Sequence, residues 1–208
     1  MERIFLILIS TFIFSCGGTK QKTDYSDDAL VFHDLFNTGM NHDVACYRIP
    51  AIVTAPNGDL IAAIDERVPD CGDLRTNRNA NIIVRRSANN GKTWSAIETV
   101  VDFPEGQSAS DPSMIVDSET DAIFMFYNFM NLDTEKDIYY LHVVKSIDNG
   151  KTWSEPEDIT AQITKPEWHK DFKFITSGRG IQTRSGKLLH TMANLNSGLH
   201  LFGSEDHG

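Results

Sequence analysis

Arg48 is the residue in this sequence with the clearest capacity to bind an anion. It lies in the segment Cys-Tyr-Arg-Ile-Pro (46–50), ahead of a short apolar run. A guanidinium presents a planar fork of N–H donors that pairs with a carboxylate in bidentate fashion and never loses its charge. A lone arginine on a protein surface needs no such role, so the prediction depends on what the rest of the chain places beside it.

More charged side chains follow Arg48 at short intervals. Arg67 ends a strand-like run, where Asp65 or Glu66 could orient its guanidinium or hold it in a purely structural ion pair. The loop that comes next is rich in Pro and Gly and carries Asp70 and Asp73. Loops of this kind present functional side chains from a rigid scaffold, so this stretch is a candidate for chemistry.

A repeated eight-residue sequence indicates how these groups are positioned. Ser-Ala-Asn-Asn-Gly-Lys-Thr-Trp (87–94) is followed by Ser-Ile-Asp-Asn-Gly-Lys-Thr-Trp (146–153), and a third copy begins at Ser204, at spacings of 59 and 58 residues. Such a period indicates one supersecondary unit repeated along the chain. Asx and Gly favour tight turns, so each copy predicts a hairpin that holds the fold, with Thr-Trp starting the return strand.

These motifs together resemble the sialidase (neuraminidase) family. The repeat is similar to the Asp box, or BNR repeat, of sialidases and related β-propellers, with Asn89 replacing the usual Asp. Tyr-Arg-Ile-Pro resembles the (Phe/Tyr)-Arg-Ile-Pro motif that precedes the first box. The resemblance implies that Arg48 is the first of three arginines that clamp the carboxylate of sialic acid. It implies that Arg67 contacts the sugar near its 4-position.

The same resemblance gives roles to aspartates. The family's general acid/base lies in the loop after the second arginine, where Asp73 is the match and Asp70 the alternative. Such a carboxyl protonates the leaving glycosidic oxygen and later activates water. Asp111 maps to an aspartate that lines the pocket near the 4-hydroxyl and the N-acetyl group, although Asp before Pro112 is also a common start of a turn.

Short strands between turn signals predict an all-β fold. The predicted strands are 48–54, 60–65, 82–86, 113–117, 123–129, 138–145, 187–192 and 199–203, and no helix longer than one or two turns is expected. Even spacing and a repeated hairpin favour a β-propeller. The resemblance implies the six-bladed sialidase propeller, with about three blades in residues 31–208. An unclosed propeller would leave a blade face and strand edges uncovered.

The first 30 residues predict export. Arg3 precedes an apolar run, 4–14, which is shorter than the roughly 20 residues of a membrane-spanning helix and suits a secretory signal. Cys16 follows the small residue Ser15 and precedes Gly17 and Gly18, as at a bacterial lipoprotein cleavage site. We therefore predict a signal peptide over 1–16, a lipid anchor at Cys16, a polar tether over 17–30, and an outer-membrane lipoprotein facing the periplasm or the cell surface.

The cysteines and the net charge limit which metals, cofactors and macromolecular partners are expected. Cys46 and Cys71 could form a disulfide in an oxidising compartment or remain reduced and buried, and the sequence does not choose. The chain has no Cys-x-x-Cys and no clustered histidines, so neither a metal site nor a cofactor is predicted. The net charge of −10 argues against nucleic acid as a partner.

The predicted function is that of a retaining exo-α-sialidase. It would hydrolyse terminal α-linked sialic acid from glycoproteins, gangliosides and oligosaccharides. In the family, the Tyr nucleophile, its Glu partner and the other two carboxylate-binding arginines follow the third box, so these 208 residues are expected to be inactive alone. Two alternatives stay open: a noncatalytic Asp-box propeller that binds glycans or proteins, and a trans-sialidase.

Overall fold

Short antiparallel strands dominate residues 33–208, the part of the chain that the computed structural model describes. The predicted signal peptide, lipid anchor and tether lie outside the described residues. In chain order the strands are β1 (Cys46–Thr54), β2 (Leu60–Val68), β3 (Asn79–Ser87), β4 (Glu98–Val101), β5 (Gln107–Asp117), β6 (Ala122–Asn131), β7 (Tyr140–Ser146), β8 (Glu157–Asp158), β9 (Lys173–Ile175), β10 (Gly178–Arg179), β11 (Ile181–Gln182), β12 (Leu188–Asn194) and β13 (Gly198–Ser204).

The described helices are a single turn each. One α-helix, α1, covers Thr160–Ile163, and a 3₁₀ turn covers Pro166–Trp168. Both lie in the connection between β8 and β9. Residues 33–208 include no helix with the length and hydrophobicity needed to cross a bilayer.

The strands form three sheets that are successive blades of a propeller. Blade 1 has the order β1-β2-β3-β4 and blade 2 the order β5-β6-β7-β8, each antiparallel throughout. Blade 3 comprises β11-β12-β13, with β9 also paired to β12. A parallel pairing of β10 with β5 sets the inner strands of blades 2 and 3 side by side. The all-β propeller prediction is confirmed.

Strand length separates the predicted strands from the missed ones. The eight predicted segments correspond to the eight longest strands, each of seven residues or more. The missed strands β4 and β8–β11 have two to four residues. So few residues cannot show the period-two alternation on which a strand prediction rests.

Hydrophobic side chains fill the space between neighbouring blades. One buried cluster combines Ile61, Ala63, Ile82 and Val84 of blade 1 with Met125, Tyr127 and Val144 of blade 2, and Trp153 packs against it. A second combines Phe124, Phe126 and Leu141 of blade 2 with Ile175, Leu188 and Met192 of blade 3. Because side chains alternate across a strand, blade 2 supplies one face to each cluster.

All three repeats fold into the same turn. The hydroxyl of Ser87 accepts the backbone N–H of Gly91 at 2.9 Å, and the equivalent bonds from Gly150 to Ser146 and from Gly208 to Ser204 are 2.8 Å. The residue before each glycine has positive φ, as in Asn90, Asn149 and His207. The prediction that the repeat closes a turn on its own backbone is therefore confirmed.

The position of the return strand differs from the prediction. Strand β4 begins at Glu98 and β8 at Glu157, each four residues after the tryptophan of its repeat. The chain first turns back through Ser154, whose N–H donates to the carbonyl of Lys145 at 2.8 Å, and the first repeat does the same through Ser95. The repeat is thus a wider connection than a tight hairpin, closed by the hydroxyl of its serine. In the second repeat Trp153 packs against the core before β8 begins.

Candidate active site

A bulge in the innermost strand of blade 1 follows directly after Arg48. Arg48 pairs with Asp65 across β1 and β2, and then Ile49 and Pro50 together oppose the single residue Ile64. Ile49 has φ of 56°, which is unusual for a β-branched side chain, and Pro50 has no N–H to lose from the ladder. Bulges bend a strand and redirect its side chains, so this one sets where Arg48 lies.

Blade 2 repeats this bulge at the equivalent place. Ser110 pairs with Asn128 across β5 and β6, and then Asp111 and Pro112 together oppose Tyr127. Asp111 has φ of 62°. The sequence signal for this repeated bulge is a residue before proline inside a strand, which recurs 62 residues later.

Arg67 is held on every side. Its side chain has no exposed surface. Its Nε and Nη2 donate to Oδ2 of Asp65 at 3.1 and 2.7 Å, while Nη1 donates to the Gly72 carbonyl at 2.7 Å and to Oδ1 of Asp73 at 2.8 Å. Burial alone lowers the pKa of Arg67, but the hydrogen bonds to the two carboxylates outweigh it and raise the pKa. The guanidinium is therefore charged and fixed.

The carboxylate of Asp73 contacts both arginines. Besides the bond from Arg67, its Oδ1 lies 3.6 Å from Nη1 of Arg48. The side chain is 71% exposed and that of Arg48 is 44% exposed, so both reach solvent. The Asp73 carbonyl accepts the N–H groups of Thr76 and Asn77 at 2.7 and 2.8 Å, which fixes the end of the loop.

Asp70, the alternative to Asp73, has a different environment. Its Oδ1 accepts the N–H of Gly72 at 2.6 Å, which closes a turn within the loop. Its carbonyl accepts Nδ2 of the buried Asn77 at 2.7 Å. No ion pair between Asp70 and an arginine is present in residues 33–208, so the geometry favours Asp73.

A disulfide joins the loop to the first strand. Cys46 in β1 and Cys71 in the loop are bonded, with their Cα atoms 5.7 Å apart. The Cys71 carbonyl accepts Nη1 of Arg48 at 3.5 Å and Nη1 of Arg67 at 3.4 Å. The question left open by the sequence is thereby answered, and the bond connects the loop that carries Asp73 to the strand that carries Arg48.

Asp111 sits in a polar, mostly buried setting between blades 1 and 2. Its Oδ2 accepts Nδ2 of Asn128 at 3.0 Å and Oγ of Ser110 at 3.3 Å, and its own N–H donates to Oδ1 of Asp65 at 3.3 Å. Burial raises the pKa of Asp111, against the effect of the Asn128 bond. Burial also raises the pKa of Asp65, while its hydrogen bonds with Arg67 act in the opposite direction.

An apolar floor supports the loop from below. Leu74 packs in a buried cluster with Met130 and Tyr139, which come from blade 2 and the connection after β6. Among residues 33–208, no group of three or more His, Cys, Asp or Glu side chains is placed to hold a metal ion. The chemistry available here is that of guanidinium groups and carboxylates: recognition of an anion beside a carboxyl that can transfer a proton.

The sequence of this chain is similar to a known protein family and to curated relatives. The model described as a BNR repeat-like domain matches residues 49–197. The sialidase of Micromonospora viridifaciens is 35% identical over an alignment of 158 positions, which covers 67% of this chain and 23% of that protein. The sialidase of Bacteroides fragilis is 30% identical over an alignment of 196 positions, which covers 83% of this chain and 35% of that protein. This chain belongs to the BNR-repeat sialidase family.

Solved structures of sialidases show the same fold. The Hadza microbial sialidase Hz136 superposes with a TM-score of 0.72 at 29% identity, over 83% of this chain and 37% of that one. The leech intramolecular trans-sialidase also reaches 0.72, at 17% identity, over 86% of this chain and 45% of that one, which shows similarity of fold alone. The chain spans about a quarter to a third of the two bacterial sialidases.

The four predicted site residues of this sialidase-family chain form one connected network. Arg48 and Arg67 meet at Asp73, and Asp65 joins Arg67 to the backbone of Asp111. One feature differs from the sequence-based expectation: the Arg67 side chain is fully covered rather than open to a ligand. Of the two residues predicted to orient Arg67, the structure shows Asp65 in contact with its guanidinium. Asn128 was not anticipated, because nothing in its local sequence indicates a contact with Asp111.

Proposed function

We propose that this chain is the N-terminal part of an exo-α-sialidase that releases terminal α-linked sialic acid from glycoconjugates with retention of configuration. The convergence of Arg48 and Arg67 on the exposed carboxyl of Asp73 is the observation that carries this proposal. Its substrates would be sialylated glycoproteins, gangliosides and oligosaccharides, and the similarity to two bacterial sialidases supports a sialic acid-containing substrate.

Arg48 would bind the carboxylate of the sugar. Its side chain is partly exposed, and its contacts with Asp73 and the Cys71 carbonyl are long, at 3.6 and 3.5 Å. A carboxylate arriving from solvent could therefore displace them and form shorter, charge-assisted bonds. The other two arginines of the clamp would come from a part of the protein that this chain does not contain.

Asp73 would serve as acid and then as base. Arg67 engages Oδ1, and among the described residues no hydrogen bond engages Oδ2. That oxygen is free to protonate the leaving glycosidic oxygen and later to take a proton from water. Sialidases use a tyrosine nucleophile in place of the second carboxylate of other glycosidases, and we assign that role to no tyrosine among residues 33–208.

Asp111 would face the polar substituents of the ring near its 4-hydroxyl and N-acetyl group. Arg67, being fully covered, would act on the sugar only if the loop moved, and we assign it mainly to holding Asp73.

An apolar cavity supports the proposal that further chain completes the propeller. The cavity measures about 310 Å³ and lies between blades 2 and 3, with Phe124, Phe202 and Gly208 in its wall. Gly150 makes the equivalent approach to Ile61 between blades 1 and 2, where Trp153 packs. A tryptophan in a continued third repeat would fill the cavity in the same way.

We also propose that the protein is exported and lipid-anchored at Cys16. The apolar run at 4–14 and the disulfide between Cys46 and Cys71 support an oxidising compartment.

Two sialosides with different leaving groups would test the assignment of Asp73 in the full-length enzyme. Asp73→Ala should lower kcat/KM for sialyllactose by about 10²–10⁴-fold, because its leaving group needs a proton. The kcat/KM for an aryl sialoside should fall far less, since a phenolate leaving group departs without being protonated. Arg48→Ala should lower kcat/KM for both substrates alike.

Product analysis distinguishes the alternatives. Release of free sialic acid in the presence of excess lactose indicates hydrolysis, whereas a sialylated acceptor indicates a trans-sialidase. Glycan binding without turnover by the full-length protein would identify a lectin-like propeller and overturn the proposal.

A further inference from the structure

Asp65 is a fully buried carboxylate whose two oxygens face different blades. Oδ2 accepts Nε and Nη2 of Arg67, in the same blade, at 3.1 and 2.7 Å. Oδ1 accepts the backbone N–H of Asp111, in blade 2, at 3.3 Å. Burying a carboxylate is costly unless it is paired and hydrogen-bonded, so a residue of this kind needs a reason.

Blade 2 makes the same contact with the next blade, but it uses a neutral side chain. Asn128 occupies the equivalent position, opposite the last residue before the inner-strand bulge, as Asp65 does in blade 1. Its Oδ1 accepts the backbone N–H of Ile175, in the inner part of blade 3, at 2.8 Å. A side-chain oxygen thus links each blade to the next one, and an amide is sufficient for that link.

The charge at position 65 therefore serves Arg67. Asparagine offers one acceptor oxygen and an NH₂ group, so an amide that kept the bond from Asp111 would turn its donors toward Nε and Nη2 of Arg67. Only a carboxylate can accept from both partners. A neutral side chain would leave the guanidinium unpaired on that side and free it to shift toward Asp73.

We propose that Asp65 is a positioning residue of the sialidase site. Its carboxylate holds the Arg67 guanidinium, which in turn holds Oδ1 of Asp73 at 2.8 Å and leaves Oδ2 facing the substrate. The inference rests on the proposed function for its catalytic consequence. The contact between Asp65 and Arg67 does not depend on that function.

Asp65→Asn separates the two roles, because the chain itself uses asparagine for the inter-blade link. In the full-length enzyme we expect kcat for sialyllactose to fall about 10- to 100-fold with little change in KM, and kcat for an aryl sialoside to fall several-fold less. This dependence on the leaving group is the signature of a misplaced acid. A smaller folded fraction would lower both rates equally.

Asp117→Asn is the matched control. Asp117, at the end of β5, is also a fully buried carboxylate, and it accepts Thr120 Oγ1 of the following turn at 2.6 Å and Gln182 Nε2 of β11 at 2.7 Å. Its loss should lower the melting temperature while leaving the ratio of the two kcat values as in the wild type. Should Asp65→Asn fail to fold, Arg67→Lys provides the same test, since a lysine keeps the charge but cannot make the paired bonds.

A second readout needs no activity. In ¹⁵N NMR of the full-length enzyme, Arg67 should give a slowly exchanging Nε–H signal that becomes fast in Asp65→Asn and stays slow in Asp117→Asn. An inactive wild-type enzyme with this signal intact would refute the proposed function but not the contact. An active enzyme in which Asp65→Asn keeps both the signal and the wild-type ratio of rates would overturn the inference.

Discussion

Single residues at this site combine structural and chemical duties. Arg67 is as buried as any core side chain, yet its Nη1 reaches a carboxyl that is 71% exposed. The desolvation of a guanidinium is offset only when nearly all of its donors are used, and here they bond to Asp65, Asp73 and the loop carbonyls. An exposed carboxyl is thereby held by a buried, fixed guanidinium.

Trp153 provides a residue-scale test of blade packing. Its ring packs against the cluster between blades 1 and 2, and its Nε1 is buried without a hydrogen-bond partner. Trp153→Ala should lower the free energy of unfolding by about 3 kcal/mol, at the low end for aromatic truncation because the side chain is only partly buried. Urea unfolding measures this.

Trp153→Phe is the control for that measurement. It keeps an aromatic ring in the site and removes the unpaired N–H, so it should cost much less than the alanine variant. Equal losses for the two variants would contradict the packing role.

Sequence patterns identified the charged residues at the site but not their neighbours. Arg48 and Asp73 could be predicted because each lies in a local motif of a known family. Asn128 could not, because its contact with Asp111 depends on strand register and on a bulge that brings two blades together. Likewise, the full burial of Arg67 follows from tertiary packing, which no local pattern reports.

At the scale of elements, the repeated turns differ in one atom. In the second repeat Asp148 accepts the Thr152 hydroxyl at 2.6 Å and the N–H groups of Thr152 and Lys151. In the first, Nδ2 of Asn89 instead donates to the Thr93 hydroxyl at 2.8 Å. The turn forms with either residue, so the carboxylate adds only a charge-dependent contribution.

That contribution predicts a pH dependence. Hydrogen bonds from Thr152 lower the pKa of Asp148 to about 2. A lowered pKa stabilises the fold above the unfolded value near 4, and this stabilisation disappears as the pH falls from about 4 to 2. Since the group is partly exposed, we expect Asp148→Asn to lose about 1 kcal/mol at pH 7 and almost nothing at pH 2.

The converse change is available in the same chain. Asn89→Asp should gain a similar amount at pH 7 and lose the gain on acidification. Denaturant unfolding at pH 7 and at pH 2 measures the change in the free energy of unfolding for both variants. A difference between the wild type and Asp148→Asn that does not vary with pH would contradict the explanation.

At the scale of the whole molecule, three blades follow one packing rule. Blade 1 packs against blade 2 through the face that carries Ile61 and Ala63. Blade 2 packs against blade 3 through the face that carries Phe124 and Phe126. The corresponding face of blade 3 is open within residues 33–208, with Leu199 and Leu201 about two-thirds exposed. The sequence predicted such an uncovered face from the number of blades, although it could not say which residues would form it.

This face predicts self-association of the 208-residue chain. Leu199→Lys with Leu201→Lys should keep the protein monomeric at concentrations where the wild type associates, because exposed apolar strands at a sheet edge promote association. Light scattering or analytical ultracentrifugation measures the difference.

Ile147→Lys is the control for surface charge. Ile147 is 76% exposed but lies in the second repeat, away from the open face. If that variant prevented association equally well, the open face of blade 3 would not be its cause.

The bond between Cys46 and Cys71 has a consequence for the denatured protein. It closes a covalent ring that contains Arg48, Asp65 and Arg67, with Asp73 two residues beyond its end. For a ring of this size the lost freedom of the unfolded chain corresponds to roughly 3.5 kcal/mol. Even when heat or urea unfolds every sheet, the disulfide therefore limits how far apart these four side chains can move. Refolding of this region then starts from groups whose separation is already restricted.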